Sequence, residues 1–591
     1  MKLNKLLSYG YFPKELPPPF NSKDFGKKSS YLVKKWDKLL DEKKVKKPSE
    51  SRNEAKRRFN KDYVQKYGSS KLIEYSIAKG IFSRRKLGVP NPKQFLDLSQ
   101  SISDNWENIK PIFELSEYSE SLPVEYKAKR TVRTKSKTWN NFKFKLIEES
   151  FDKKFQLKLD ILNFYPSIYT HSIPWSVLGK EDAKKYFKIK NNRKHYFESI
   201  LSSDPKAKLY KLSDQIDTLV RNCNERQSVG IPIGPDTSFI LAELIACRID
   251  SEIKKKLENI DHRASRYYDD YYFYFNNIGD AETSLKIIQK IIYDFQLETN
   301  ENKVEINPLP FRNIDDWSNS ISSFKFDEAD KFELRNYFSL IYSQISKNKK
   351  NSSWIVSYSL LRFEYGNVKI KKKNWDIFLN FLLQTILVDP SSIDQIFKIL
   401  LSYKIYIKGK AKEKINSVLE KVIKEHTLLN HSFEVAWSLW YYKTFKIKCD
   451  RDTLSIVLNS NDNISKLICL DLINSGLYKG RKPALTNLIK SINGNSLFDD
   501  QWLLAYESFR KNWLNFKSKN ILRDNEFFKF LDYYNISFYD PDEQIKISFR
   551  ILESRPRISD FDIDEEEDIF GWLIDEEESE DDSDQEGKTK Y

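Results

Sequence analysis

The spacing of apolar residues along this 591-residue chain changes character near residue 325. Upstream, from about residue 70 to 315, short apolar and aromatic runs are broken by Pro and Gly clusters and interspersed with helical stretches, the pattern of an α+β domain. Leu157, Leu159 and Ile161 alternate with Lys158 and Asp160, which predicts a half-buried strand whose Asp160 points away from its apolar neighbours. Residues 266–275, RYYDDYYFYF, predict a hairpin in which seven aromatic residues surround the adjacent Asp269 and Asp270. Between these runs, residues 227–250 predict a tight loop at Gly230, Pro232, Gly234 and Pro235, then an apolar helix with Asp236, Thr237 or Ser238 available as N-cap. Glycine in that loop would let a nucleotide or template base approach closely.

Downstream the period moves towards that of a helix. WDIFLNFLLQTIL, SIDQIFKILLSY, INSVLEKVIKEH and FEVAWSLWYYKTF, separated by short polar turns, predict an all-helical domain, an irregular repeat with no fixed period. Phe433, Trp437, Trp440 and Tyr441 fall on one helical face and are read as core. Four regions are expected: a basic N-terminal extension (1–70), whose residues 23–65 read as exposed helix and loop; the mixed domain (71–325); the helical domain (326–555); and a disordered acidic tail (556–591). The tail carries one apolar island at residues 569–574, a docking point if it competes with nucleic acid for the basic body.

Composition narrows the class. Hydrophobic residues make up 40% and aromatic residues 14%, which excludes a mainly disordered chain, and the length exceeds what one core supports. Cys223, Cys247, Cys449 and Cys469 are scattered with no CxxC, which argues against a disulfide framework or structural zinc and fits a reducing compartment. With no secretory leader and no run of about 18 apolar residues, a soluble cytoplasmic protein without a membrane partner is expected. The net charge of +14 conceals an asymmetry: residues 560–591 hold sixteen Asp/Glu against two Lys, a net of −14, which leaves +28 on the remainder. Such a body suits a polyanion, nucleic acid first, although a generic lysine-rich protein has the same signature.

Strands seldom carry Asp, and buried carboxylates need a partner. One Asp on a strand and an Asp pair on a neighbouring hairpin would suit two divalent ions, the usual apparatus of phosphoryl transfer to a hydroxyl. The alternative is a buried ion pair, with Arg266 as the obvious partner. Residues 127–145 pack eight Lys/Arg into nineteen positions, with Trp139, Phe142 and Phe144 among them. Lys127, Arg130, Arg133 and Lys135 are the candidates there for binding a single strand, and a solvated loop is the equal alternative.

The ordered set of single Asp, Gly-rich loop with helix, and paired Asp resembles the palm of reverse transcriptases. LDILNFYPSI is similar to motif A, GIPIGPDTSFILAE to motif B, YYDD to the YxDD of motif C, and LETNENKVEI to motif D with its lysine at Lys303. NFYPSIYTHSIPW, SRRKLGVPNP and FEVAWSLWYYK further resemble segments of the abortive-infection, defence-associated reverse transcriptases of bacteria, the AbiK type in particular. The resemblance runs from about residue 80 to 450 and is densest over 155–306. It implies right-hand polymerase fingers and palm followed by a HEAT-like helical domain. It also implies catalytic Asp160, Asp269 and Asp270 holding two Mg²⁺ (or Mn²⁺) with the Ile161 carbonyl, and Tyr165 as a gate against ribose. Gly230, Pro232, Gly234, Lys303 and, from the fingers, Arg84, Arg85 or Lys86 would bind the nucleotide. Lys303 would protonate pyrophosphate or bind phosphate, an uninvolved surface lysine being the alternative. The partners implied are dNTPs, a single-stranded DNA product attached covalently to the protein, RNA if synthesis is templated, and further copies of the chain. Nothing marks which of 33 tyrosines would prime.

Departures keep other readings open. Ile233 stands where templated enzymes often have Gln, Tyr268 is bulkier than the usual residue of YxDD, and no thumb or nuclease constellation is visible. His171 reads as structural. The activity that the resemblance implies is protein-primed, template-independent DNA synthesis in antiphage defence. The alternatives are an RNA-templated enzyme like those of retrons or group II introns, and a nucleic-acid-binding scaffold with a relic palm.

Overall fold

A computed structural model describes the chain apart from residues 80–82, 127–129, 137–138, 311–315, 517–520, 523 and 552–591. It is helix-rich, with several small sheets. Chain order brings a hairpin first, β1 (Ile73–Lys79) and β2 (Ser83–Val89), then the short pair β3 (Val124–Glu125) and β4 (Val132–Arg133). A four-stranded antiparallel sheet follows, built from β5 (Phe155–Asp160), β6 (His262–Tyr267), β7 (Asp270–Phe275) and β8 (Glu305–Pro308) in the order β6-β7-β5-β8.

The central pair β5–β7 explains the aromatic run. Leu157, Leu159, Tyr271, Phe273 and Phe275 share a core with Ile240 and Leu244 of the Asp236–Lys256 helix and with Ile288 and Ile292 of the Ile278–Asp294 helix. The opposite face is covered as well: Phe142 and Leu146 of the Trp139–Ser150 helix pack on Tyr267, Tyr272 and Tyr274. The expected half-buried β5 is therefore buried on both faces. Its polar residues stay there because each finds a partner: Gln156 Nε2 donates to the Tyr274 hydroxyl at 3.1 Å, and the Lys158 ammonium lies over the Tyr272 ring.

Helices from Lys331–Lys347 to Glu526–Tyr533 form the second body. Phe433, Trp437, Trp440 and Tyr441 are buried in it, as expected of core. Residues 23–65 are helical over Ser29–Lys44 and Arg52–Phe59 and mostly exposed, but Leu32 and Trp36 are buried. Tyr11, Phe25 and Trp36 belong to the same core as Trp502, Phe527 and Phe538, so chain start and helical body fold together. The β1–β2 hairpin leans on the Ser432–Phe445 helix through Tyr75 and Phe433. Among the described residues no helix is long and apolar enough to cross a membrane. The acidic tail lies outside the described residues.

Candidate metal and nucleotide site

β5 ends on Asp160, which stands opposite Asp270 in the β5–β7 register. β6 and β7 are joined by a two-residue turn, Tyr268–Asp269, closed by the Tyr267–Asp270 pair. The Ile161 N–H donates to the Asp269 carbonyl at 3.2 Å, tying the end of β5 to that turn. Carboxylate oxygens of Asp160, Asp269 and Asp270 consequently lie within 4.8 Å of one another. Like charges at 4.8 Å repel by roughly 3–4 kcal/mol at an effective dielectric of about 20. Burial, then the charges of Asp270 and Asp160, push Asp269 up to about 7. Burial, then Asp160, push Asp270 up to about 6.

Lys303, in the short helix Glu301–Lys303, places its Nζ 2.9 Å from Asp160 Oδ2. Burial pulls its pKa down, but the Asp160 hydrogen bond and the three carboxylates outweigh this and raise it. Asn300 adds a side-chain hydrogen bond to the same oxygen at 3.2 Å, and its N–H donates to the Asp160 carbonyl at 2.8 Å. One ammonium against three carboxylates leaves the cluster short of positive charge. Oxygen-only donors converging from rigid elements suit a divalent cation such as Mg²⁺ or Mn²⁺.

Arg266 is not the partner of the aspartate pair. Its guanidinium turns away from them to Glu243 and Asp250, at 2.7 and 2.8 Å. The ion-pair alternative for Asp269 and Asp270 therefore falls, because Arg266 is spent elsewhere.

Comparison with known proteins adds little. No protein-family model matches the chain, and no curated protein matches its sequence. Among solved structures, the chain overlaps telomerase from Candida albicans, in complex with a TWJ fragment of telomeric RNA, at 12% identity and a TM-score of 0.25, over 63% of this chain and 66% of that one. For telomerase from Candida tropicalis with the corresponding fragment the values are 12%, 0.27, 71% and 68%. The chain thus spans about two thirds of their length. Overlap of this quality carries no argument, so function has to be read from the residues.

The expected nucleotide residues divide. Tyr165 lies close enough to the carboxylates that Asp269, after burial, raises its hydroxyl pKa, while Arg85 and Arg130 oppose that shift. The Tyr165 carbonyl accepts the Ile231 N–H at 3.0 Å, and the Gly230 N–H donates to Ile168 at 2.8 Å, so the Gly-rich loop is fastened to the residues after Asp160. Gly230 (φ +88°) and Gly234 (φ +123°) are both in the left-handed region. A Cβ on Gly234 would come 2.6 Å from Pro13 Cγ. That glycine is required by the approach of the chain's own N-terminal segment, where the sequence suggested a nucleotide. Pro232 sits beside Gly88, whose N–H donates to the Ile233 carbonyl at 2.9 Å. The Asp236–Lys256 helix begins after Pro235 with no side-chain cap, and the Asp236 carboxylate accepts the Thr131 N–H at 2.9 Å instead.

On β2, neighbours face opposite ways. Arg85 acts on Tyr165, whereas Arg84 is committed to Glu434 of the helical body, its NH2 donating to Glu434 Oε2 at 2.8 Å. Lys86 makes an exposed pair with Glu74 at 2.9 Å. Arg84 and Lys86 are thus not brought to the carboxylates. Of the basic segment, Arg130 binds Asp236 and the Gly234 carbonyl beside the site, Arg133 lies over the Tyr126 ring at 4.9 Å, and Lys135 pairs with Glu120 at 2.9 Å. Lys127 lies outside the described residues. Arg130, Arg133 and Lys135 thus each have an intramolecular partner, and Arg130 lies beside the site rather than in a separate groove. His171 is structural, its Nδ1 2.6 Å from the buried Asp217.

A second cluster of ligand-type side chains, His426, His431 and Glu434, sits where Arg84 meets the helical body. The two Nδ1 atoms are 2.8 Å apart, and burial draws both imidazoles below their ordinary pKa, so one ring donates and the other accepts. The Arg84 cation already neutralises Glu434, which makes this an ion-pair latch between hairpin and helices.

Sequence reasoning missed Asn300, Glu243, Asp250 and Ser121. For Glu243 and Asp250 a signal existed: two carboxylates seven apart, on one face of an otherwise apolar helix.

Proposed function

We propose that this chain is a metal-dependent nucleotidyltransferase of the reverse-transcriptase type that makes DNA from dNTPs. The observation that carries the reading is the convergence of Asp160, Asp269 and Asp270, from two distant motifs, at one end of one sheet. Two divalent ions held by these aspartates, with the Ile161 carbonyl alongside, would lower the pKa of an attacking hydroxyl and neutralise a triphosphate. The chain's own residues supply the rest. Tyr165 sets a ring where a ribose 2′-hydroxyl would have to fit, which favours deoxynucleotides. Lys303, positively charged and beside Asp160, can hold a phosphate oxygen or deliver its proton to departing pyrophosphate. Arg85 and Arg130 contribute positive charge on the Tyr165 side.

Within this class we read the chain as a protein-primed, template-independent enzyme of the abortive-infection type, serving antiphage defence. Support comes from the motif segments quoted above, and from Ile233, whose side chain offers no polar contact to a templating pair. The test uses purified protein, Mg²⁺ and each dNTP without template or primer, with DNA-linked protein scored on denaturing gels. Labelled protein that vanishes in Asp269→Ala and is indifferent to added RNA is the expected result. Dependence on RNA would favour the templated reading, and no product with either Mg²⁺ or Mn²⁺ would refute the enzyme altogether.

A further inference from the structure

Behind the aspartate turn lies a buried charged hub. Arg266 is 0% exposed, and Glu243 and Asp250 are 2% and 1%. The guanidinium uses all five donors: Nε to Asp250 at 2.9 Å, NH2 to Glu243 at 2.7 Å and to Cys247 Sγ at 3.7 Å, NH1 to Glu243 at 3.0 Å and to the Tyr268 carbonyl at 2.8 Å. Two carboxylates against one guanidinium leave a net negative charge, and hydroxyls solvate it. Ser116 and Tyr271 donate to Asp250 at 2.5 and 2.9 Å, and Ser119 and Ser121 to Glu243 at 2.5 and 3.1 Å. The last of these also reaches the turn, since Ser121 Oγ accepts the Tyr268 N–H at 2.9 Å.

Tyr268 is therefore gripped at both its N–H and its carbonyl by the hub. It needs the grip: φ is +55°, a region that costs a non-glycine residue on the order of 1–3 kcal/mol. Its ring is wedged at 5.5 Å from Phe239 and 4.9 Å from Tyr267. The peptide planes on both sides of Tyr268 set the direction in which Asp269 leaves the turn. We infer that Arg266 and Ser121 are positioning residues that hold the Tyr268 backbone so that Asp269 meets Asp160 and Asp270 in metal-binding geometry. This rests on the reading of those three aspartates as metal ligands.

The test measures Mn²⁺ binding to the full chain by electron paramagnetic resonance, with Asp269→Ala as the background. Ser121→Ala should weaken Mn²⁺ roughly tenfold, as loss of an outer-shell partner does. Tyr271→Phe removes a hydrogen bond to Asp250 of the same hub while leaving the Ser121 and Tyr268 hydrogen bonds in place, and should leave Mn²⁺ affinity unchanged; Ser121→Thr should restore the wild-type affinity. Equal weakening by Tyr271→Phe and Ser121→Ala, or none by Ser121→Ala, overturns the inference, and so does a Ser121→Ala chain that fails to fold at 25 °C. Wild type that binds Mn²⁺ no better than Asp269→Ala overturns the metal reading itself, and this inference with it.

Discussion

Asp269→Asn isolates the cost of burying the Asp269 carboxylate beside two others. In the metal-free fold Asp269 titrates near 7 against an ordinary value of 3.8, about three pH units, or roughly 4 kcal/mol of differential stability. The Coulomb figure for one like-charged neighbour at 4.8 Å, roughly 3–4 kcal/mol, is of the same order. The folded chain keeps a proton on Asp269 that the unfolded chain has already released. Stability is therefore full below about pH 4 and falls as pH rises through about 7. Asparagine removes this loss while keeping nearly the same shape. In EDTA at pH 8 the variant should resist denaturant better than wild type by about 3 kcal/mol, and the gap should close near pH 4. Saturating Mg²⁺ should reverse the order, because only wild type gains from binding. Denaturant melts from pH 4 to 8, with EDTA or Mg²⁺, check this. A variant no more stable than wild type at pH 8 in EDTA would refute the claim that the cluster is electrostatically loaded.

Two further perturbations probe other parts. Tyr165→Val should raise ribonucleotide incorporation relative to deoxynucleotide by at least about tenfold, the order expected for lifting a steric exclusion, measured as the ratio of kcat/KM values. Arg84→Ala strands the buried Glu434 carboxylate and should cost about 3–5 kcal/mol, whereas Lys86→Ala breaks only an exposed pair and should cost less than about 1 kcal/mol, both read by denaturant melts.

The strand bearing Asp160, the hairpin bearing Asp269 and Asp270, and the helix after GIPIGP were legible because local periodicity and the Gly/Pro loop coincide there. What was not legible depends on tertiary approach. The second face of β5 is buried because the Trp139–Ser150 helix comes to cover it. Gly234 is constrained by Pro13, more than two hundred residues earlier. Arg84 and Arg85 are adjacent and chemically alike, yet strand alternation sends one to Glu434 and the other towards Tyr165. Arg266 shows the same limit most plainly: its nearest acids in sequence are Asp269 and Asp270, and its partners in space are Glu243 and Asp250.

That choice of partners also accounts for Tyr268. An arginine paired with Asp269 or Asp270 would neutralise the charge that a divalent ion needs, so a divalent site is served by diverting the neighbouring arginine. Here a helix supplies two carboxylates to absorb Arg266, and the same guanidinium then braces the turn through the Tyr268 carbonyl. Glycine at position 268 would fit the left-handed turn with less strain but would surrender the Phe239 and Tyr267 contacts that fill the space beside it. The bulky residue thus stiffens the turn from the side while the hub fixes it from behind. Lys303, by contrast, approaches Asp160 on a half-exposed side chain, where a cation can be displaced at little cost when a divalent ion arrives. The permanent positive charge is buried behind the site, and the exchangeable one is placed in it.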